Sequence, residues 1–357
     1  MLCGAFARSL HLPIVWSSHT NIDFYLSTYI RSYAVQLARG IYRYIRLKHL
    51  LYSSMNLTVS QDFADYMEYT GIPRPVLVWK TGVDSELFHP RRRSSSMRDR
   101  MFGTLNNFTR EQMDARILLL CVGRISPEKN FEFLSLLLER IPNEIYLCIV
   151  GDGPYRHTLE PLFPPDQVYF FGHLDGEELA NAYASADYFI YASVSETFGQ
   201  VYLEAMASGT PVIAAEGGQL KEFFHHSQHG YLWQPDDLDS AEAAVRAAMK
   251  NRAYLSAKAR QQALKYSWDS AADQLNEVYY DAIEIASGNA RPPSNLFVLV
   301  GRLIYYGWSW MICILLALCF MAPFVRVSPP RPSAKETKRS TSTTTHEILA
   351  SKRCRSA

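Results

Sequence analysis

The sequence predicts an α/β fold built on parallel sheets, and three observations lead to this prediction. Short, wholly apolar runs such as Ile117–Val122 and Ile145–Val150 have the length of strands that are buried on both faces. Each of these two runs is followed directly by a glycine that begins a turn. Apolar runs and helix-forming segments then alternate from residue 116 to residue 250. We therefore expect a Rossmann-like domain over residues 116–286, preceded by a partial domain of the same kind over residues 1–95.

The N-terminal part contains shorter strand signals and one candidate site residue. Ile14–Ser17, Leu57–Ser60 and Val76–Trp79 are apolar runs that favour strands. His19 follows the first of them, and a side chain at the carboxyl end of a parallel strand is well placed to meet a ligand. The alternative is a structural or solvated histidine, which is the commoner case. We interpret the polar residues 96–115 as a linker to the second domain.

A strand–helix–strand unit lies at the centre of the second domain. Tyr188–Tyr191 is a short apolar run, Gln200–Ser208 is rich in helix formers, and Val212–Ala215 is the next apolar run. Gly209 follows the helix-forming segment, where the end of a helix favours glycine. Ligands of parallel sheets bind at the carboxyl ends of strands, against helix N-termini. The loop between the first strand and the helix is therefore a candidate binding loop.

Two carboxylates frame this loop and helix. Glu196 lies in the loop and Glu204 in the helix, with seven residues between them, so both can face one ligand. Backbone N–H groups at Phe198, Gly199 and Gln200 lie at the expected helix N-terminus, which suits a phosphate. For either glutamate alone, a solvated surface position is the simpler interpretation. The combination of carboxylates and N–H groups favours a binding site.

Two cations are expected at the same edge of the sheet. Gly123 and Arg124 directly follow the strand Ile117–Val122, and Lys129 comes five residues later. Pro127 suits the first turn of the intervening helix. A guanidinium fork and an ammonium point charge together suit a diphosphate. The alternative is a pair of solvated surface charges.

Taken together, these motifs resemble the donor site of retaining GT-B glycosyltransferases of family four. The resemblance is carried by residues 195–199, by residues 203–213 and by the Gly-Arg-x4-Lys spacing at 123–129. It implies a GT-B fold with two Rossmann-like domains. It also implies an enzyme that transfers a sugar from a nucleotide diphosphate to a hydroxyl group, with retention of configuration.

The resemblance assigns roles to individual residues. Glu196 would contact the hydroxyl groups of the donor sugar, and Glu204 would contact the nucleotide ribose. Arg124, Lys129 and the N–H groups near Gly199 would hold the leaving diphosphate. The implied catalytic set is His19, Arg124, Lys129 and Glu196. The implied nucleotide-binding set is Gly123, Gly151, Gly172, His173, Leu174, Phe198, Gly199, Gln200 and Glu204.

Residues 79–90 and 174–183 resemble the sulfoquinovosyltransferase branch of this family. The branch implies UDP-sulfoquinovose as the donor, a hydroxyl of diacylglycerol as the acceptor, and no required metal or cofactor. Thr81 departs from the family, in which many members have asparagine, and the family's first strand with its Gly-rich loop is absent. We therefore expect a truncated N-terminal domain. Two alternatives stay open: a mannosyl- or glucosyltransferase that acts on another lipid, and an inactive, membrane-anchored nucleotide-sugar-binding protein.

Composition excludes several other classes of protein. The formal net charge of +1 gives no indication of nucleic-acid binding. The six cysteines form no C-x-x-C pair, which argues against a disulfide framework or a zinc site. The sequence contains no carboxylate motif that is typical of a metal site. Asp237-Leu238-Asp239 is better explained as a turn and helix cap. The N-terminus lacks the pattern of a signal peptide.

A membrane is the expected location. Residues 303–325 contain no charged side chain and are long enough, at about 1.5 Å per residue, to cross a hydrocarbon core of roughly 30 Å. Residues 25–51 interleave aromatic and basic side chains, which fits a solvated helix or a helix lying on anionic lipid. The polar tail 326–357 is expected to be disordered. Its positive charge favours a cytosolic tail, but the need for nucleotide sugars leads us to expect a catalytic domain that faces the cytosol or a plastid stroma.

Overall fold

The computed structural model describes residues 7, 12–20, 22, 40–44, 53–72, 75–103, 108–217 and 220–288. Chain contacts divide the protein into two units, Met1–Pro293 and Ser294–Ala357. The expected membrane helix at 303–325, the tail at 326–357 and most of the segment 25–51 lie outside the described residues. Within the described ranges, no helix is both long and apolar enough to span a bilayer.

The first sheet contains three parallel strands in the order β1-β2-β3, namely β1 (Val15–Ser18), β2 (Met55–Thr58) and β3 (Val76–Val78). Helix α1 (Gln61–Tyr69) connects β2 to β3. It begins after Ser60, whose hydroxyl accepts a hydrogen bond from the N–H of Phe63 and so satisfies one of the unpaired donors of the first turn. The buried face of α1 then packs through Phe63 and Met67.

The second sheet contains six parallel strands in the order β6-β5-β4-β7-β8-β9. β4, β5 and β6 follow one another in one direction across the sheet, and the connection after β6 returns to the other side of β4. β4 and β7 are therefore neighbours at a topological switch point. The apolar runs that predict β4, β5, β7 and β8 have the same ends as the strands. The strands are β4 (Ile117–Val122), β5 (Ile145–Val150), β6 (Val168–Gly172), β7 (Tyr188–Tyr191), β8 (Val212–Ala215) and β9 (Gly230–Trp233).

Helices cover this sheet and connect its strands. The cap expected at residues 237–239 is present, because the Asp237 carboxylate accepts hydrogen bonds from the N–H groups of Asp239 and Ser240. The helices that follow α1 are α2 (Ser95–Met101), α3 (Arg110–Asp114), α4 (Phe131–Arg140), α5 (Arg156–Leu159), α6 (Gly176–Ser185), α7 (Gln200–Ala207), α8 (Leu220–Phe223), α9 (Leu238–Met249), α10 (Arg252–Ala263) and α11 (Trp268–Gly288).

The segment 96–115, which the sequence predicts as a linker, is partly helical: α2 covers its start and α3 lies near its end. One cause is the buried carboxylate of Asp187, which pairs with Arg98 at 2.8 Å and accepts a hydrogen bond from the N–H of Leu118 at 2.9 Å. Burial by itself would raise the pKa of Asp187, but Arg98 and the Leu118 N–H outweigh it and hold the pKa below its usual value. Met97 and Met101 add buried apolar contacts, so a polar-looking segment packs against the second sheet.

Helix α11 returns from the second sheet to the first. Its Val278 and Ala282 form a small core with Met55 and Leu57 of β2. The indole N–H of Trp79 donates a hydrogen bond to the carbonyl of Ala271, at 2.8 Å. The two sheets are therefore connected both by the chain after β3 and by this returning helix.

Candidate functional site

The candidate site lies at the carboxyl ends of β4 and β7. These strands are paired in parallel, with Leu119 opposite Tyr188 and Leu120 opposite Phe189. The chain leaves β4 at Gly123 and leaves β7 at Ala192. Because both strands end at the same edge, the two loops meet at the switch point, where ligands of such folds bind.

Lys129 and Glu196 meet at this edge as an ion pair. The Lys129 ammonium donates to the Glu196 carboxylate, and the two side chains are only 12% and 21% exposed. The Tyr191 hydroxyl donates to the same carboxylate oxygen, Oε1, at 2.9 Å. The Lys129 ammonium also lies 5.7 Å from the centre of the Tyr191 ring. The sequence places these residues in separate loops, and the fold combines them into one charged cluster.

Arg124 differs from Lys129 in its surroundings. Its side chain is exposed, and it makes no hydrogen bond or ion pair with any residue that the structure describes. A guanidinium in this position can bind an anion without first breaking an internal contact. The site thus combines one paired cation with one that is available for a ligand.

The N-terminus of α7 faces the same loop. Gly199 precedes this helix with φ +82°, and a Cβ at this position would lie 2.5 Å from the Tyr202 ring. Within the described part of the chain no side chain caps the helix, so its first N–H groups and the positive end of its dipole are available to an anion. Phe198 lies just before Gly199 and packs against Phe223 with ring centres 6.1 Å apart.

Glu204 lies in the middle of α7 and has one buried partner. The Tyr183 hydroxyl donates a hydrogen bond to Glu204 Oε2 at 3.0 Å. Burial raises the pKa of Glu204 from its ordinary value of 4.5 to about 7, although this hydrogen bond acts in the opposite direction. Near neutral pH the carboxyl group is therefore poised between its neutral and charged forms, which makes it sensitive to any added donor.

Three glycines bring the strand ends into close contact. The Gly123 N–H donates to the Val150 carbonyl at 3.0 Å, and the Gly151 N–H donates to the Gly172 carbonyl at 2.8 Å. Gly151 has φ +133°, and a Cβ there would lie 2.0 Å from the Gly123 carbonyl oxygen. Only glycine fits this approach, so the loops after β4, β5 and β6 form one continuous wall.

The remaining candidate residues are His173, Leu174 and His19. His173 is exposed with Asp175 3.9 Å away, and Leu174 is buried. His19 directly follows β1, and its ring Nε2 is 2.9 Å from the Ser17 hydroxyl while its ring centre is 5.9 Å from that of Trp79. Among the described residues, His19 makes no contact with the Lys129–Glu196 pair, and its role stays a prediction.

Three contacts join the site to Gly82, Thr81, Ser193 and Glu128, to which the sequence assigns no function. The Gln200 amide donates to the Gly82 carbonyl at 3.0 Å and accepts from the Thr81 hydroxyl at 3.3 Å, which joins α7 to the segment after β3. The Ser193 hydroxyl donates to the Glu128 carbonyl at 3.3 Å and so connects the β7 loop to the β4 loop. The only sequence signal for such contacts is the position of a polar residue at the end of a strand or the start of a helix.

The described part of the chain contains no group of three or more histidine, cysteine, aspartate or glutamate side chains able to hold a metal ion. Cys121 and Cys148 are free and buried in β4 and β5. Burial raises the pKa of both thiols well above the ordinary value, so neither is suited to act as a nucleophile. The described groups at this edge of the sheet are carboxylates, cations and backbone N–H groups.

Comparison with known proteins identifies relatives of this arrangement. Residues 106–267 match the family of group 1 glycosyl transferases. The chain is 34% identical over 284 residues to sulfoquinovosyl transferase SQD2 of Arabidopsis thaliana, with 78% of this chain and 54% of that protein covered. It is 32% identical over 278 residues to a GDP-mannose-dependent alpha-mannosyltransferase of Mycolicibacterium smegmatis, with 78% and 69% covered.

One solved structure illustrates the likeness of fold. HepE of Anabaena, in complex with UDP and glucose, matches with a TM-score of 0.62 at 20% identity, covering 78% of this chain and 74% of that chain. At this identity the likeness concerns the fold alone. The chain spans about half the length of the Arabidopsis protein and about two thirds of the length of the mycobacterial one.

Proposed function

The chain belongs to the group 1 glycosyltransferases, and from this premise we propose that it moves a sugar from a nucleotide diphosphate to a lipid hydroxyl. The expected GT-B type of α/β fold with parallel sheets is confirmed. The observation that carries the proposal is the cluster at the switch point: the Lys129–Glu196 pair, the available Arg124 and the uncapped start of α7. Its charges fit a diphosphate joined to a sugar.

The proposed reaction breaks the bond between the anomeric carbon of the sugar and an oxygen of the diphosphate. A bond from the anomeric carbon to the acceptor hydroxyl oxygen forms on the same face, and the hydroxyl proton is released. Negative charge develops on the leaving diphosphate. Arg124, Lys129 and the N–H groups of α7 stabilise this charge, and each such donor contributes roughly 10²–10³-fold in rate.

The two glutamates serve recognition in this proposal. Glu196 accepts hydrogen bonds from the donor sugar, and Glu204 accepts hydrogen bonds from the ribose. A bound ribose would add donors to the Glu204 carboxylate and so favour its charged form. The cations and N–H groups balance the diphosphate charge, so the proposal requires no metal ion.

The donor and acceptor follow from the relatives and from the sequence. The 34% identity to a sulfoquinovosyl transferase favours UDP-sulfoquinovose, and the resemblance to that branch favours diacylglycerol as the acceptor. The 32% identity to a GDP-mannose-dependent enzyme favours a mannosyl donor as the second candidate. A lipid acceptor, together with the apolar run at 303–325, supports a membrane location with the catalytic part facing the nucleotide-sugar pool.

The test is to incubate the purified full chain, in diacylglycerol-containing vesicles, with UDP-sulfoquinovose, UDP-glucose or GDP-mannose. We expect glycolipid product and free UDP with the first donor only. Arg124→Ala should abolish the product. Arg246→Ala is the matched control, because Arg246 is a half-exposed arginine that pairs with Glu144, just before the amino end of β5 and thus at the opposite edge of the sheet.

The other outcomes separate the alternatives. Product formed with GDP-mannose alone would show that the donor is GDP-mannose and not UDP-sulfoquinovose. Donor binding without product, using each of the three nucleotide sugars, would favour the inactive binding protein. No binding of any donor would contradict the assignment of the site itself.

A further inference from the structure

Tyr191 is the last residue of β7, and its side chain is held firmly. It is 1% exposed, and its ring packs against those of Phe189 and Tyr202 with centres 5.6 Å away in both cases. Its hydroxyl is directed to Glu196 Oε1 at 2.9 Å. Because the ring is packed within the core, the hydroxyl is a fixed donor at the edge of the sheet.

The hydroxyl of Tyr191 also occupies the space above the neighbouring strand end. A Cβ built on Gly123 would lie 2.8 Å from the Tyr191 oxygen. The tyrosine therefore fits only against a glycine at this position of the β4 loop. This complementarity connects the end of β7, the Glu196 carboxylate and the β4 loop through one oxygen atom.

Tyr191 and Lys129 donate to the same carboxylate oxygen. Burial, and next the charge of Glu196, raise the pKa of Tyr191 well above its ordinary value, so the phenol stays protonated and acts as a donor. Lys129 is the cation that the proposed function also assigns to the diphosphate. An arriving diphosphate thus competes with Glu196 for Lys129, whereas the Tyr191 hydroxyl has no such competitor.

We infer that Tyr191 is a positioning residue: its hydroxyl holds the Glu196 carboxylate in place for the donor sugar while Lys129 turns to the diphosphate. This inference rests on the proposed function. It predicts that loss of the hydroxyl lowers the turnover of the sugar-bearing donor but leaves the affinity for the nucleotide diphosphate alone unchanged, because only the sugar contacts Glu196.

The test compares Tyr191→Phe with Tyr188→Phe in the full chain. Tyr188 is the matched control on the same strand, since its hydroxyl makes a buried hydrogen bond of 2.8 Å to the Ala248 carbonyl. In Tyr191→Phe we expect kcat/KM for UDP-sulfoquinovose to fall about tenfold, the scale of one hydrogen bond to a charged group. The Kd of UDP should change less than about twofold, and Tyr188→Phe should leave both quantities unchanged.

A second measurement uses the contact with Gly123. Gly123→Ala places a methyl group against the Tyr191 hydroxyl and should lower kcat/KM. The double variant with Tyr191→Phe removes the clash, so its activity should return to that of Tyr191→Phe alone. Additive losses in the double variant would contradict the placement of the hydroxyl.

The outcomes distinguish the inference from the proposed function. Equal losses of UDP affinity and of kcat/KM in Tyr191→Phe would overturn the positioning role, as would the same loss in Tyr188→Phe or wild-type kinetics in Tyr191→Phe. If the wild-type chain turns over none of the three nucleotide sugars, that result would instead contradict the proposed function and, with it, the sugar-positioning role.

Discussion

Replacing Glu204 with glutamine should stabilise the protein at high pH and leave it unchanged at low pH. The reason is the burial of this carboxyl group, which raises its pKa from 4.5 to about 7 in the folded protein. Between these two pH values the folded state holds a proton that the unfolded state has lost. The stabilisation that the group provides is therefore complete below about pH 4.5 and is lost as the pH rises through about 7.

The size of the change in stability follows from the difference between the two pKa values of Glu204. A change of about 2.5 pKa units corresponds to about 3 kcal/mol at most, at roughly 1.36 kcal/mol per unit. Glutamine has the shape of the protonated acid, keeps an oxygen that accepts from Tyr183, and never ionises. At pH 8.5 the variant Glu204→Gln should therefore be more stable than the wild type by up to about 3 kcal/mol, whereas at pH 4.5 the two should be equal.

Thermal unfolding followed by circular dichroism at pH 4.5 and pH 8.5 measures this difference. For the unit Met1–Pro293, whose entropy of unfolding is roughly 0.6 kcal/mol per K, we expect the Tm of Glu204→Gln to exceed that of the wild type by up to roughly 5 °C at pH 8.5. Tyr183→Phe provides a second check, because it removes the hydrogen bond that lowers the pKa of Glu204 and should shift the loss of stability to higher pH. A difference between Glu204→Gln and wild type that is the same at both pH values would refute this reasoning.

Four further predictions concern the site. Arg124→Ala should reduce kcat at least about 10²-fold with an unchanged Tm, because the side chain makes no hydrogen bond or ion pair with the residues that the structure describes; a lowered Tm would show a structural role. Gly151→Ala should lower the Tm sharply, since its Cβ would meet the Gly123 carbonyl. Gly172→Ala is its control, and should cost only the strain of its φ of +92°, about 1–2 kcal/mol, since nothing lies within 4 Å. The Kd of UDP from calorimetry should fall as the pH rises through about 7 in the wild type and stay constant in Glu204→Gln. EDTA should leave sugar transfer unchanged, and a loss restored by added Mg²⁺ would contradict the metal-free proposal.

Local patterns predict the strands of the second sheet well. β4 and β7 are continuous apolar runs between polar turns, and each lies between neighbouring strands in the sheet. Such strands need apolar side chains on both faces, so the run and the strand coincide. Local pattern does not predict the helices and the packing of the segment 96–115, which stays a predicted linker between the two domains. Its arginines look solvated in the sequence, yet Arg98 packs against the buried carboxylate of Asp187 far along the chain.

Pairings at the site depend on the path of the chain and not on local pattern. Lys129 and Glu196 are brought together because the chain crosses from β6 back to the other side of β4. The Tyr183–Glu204 hydrogen bond joins α6, the helix within that crossover, to α7, the helix that follows β7. No local spacing encodes these neighbours, because each pair is close in space only after the sheet has formed.

The sequence by itself determined the fold class, the strands of the second sheet and the chemical types gathered at its edge. These properties follow from apolar runs and from turn residues whose effects are local. Only the tertiary structure decided which charges pair, which cation stays available and which carboxyl group is poised between its neutral and charged forms near pH 7. Burial and the order of the strands set these properties, and both arise from contacts between residues that are distant in the chain.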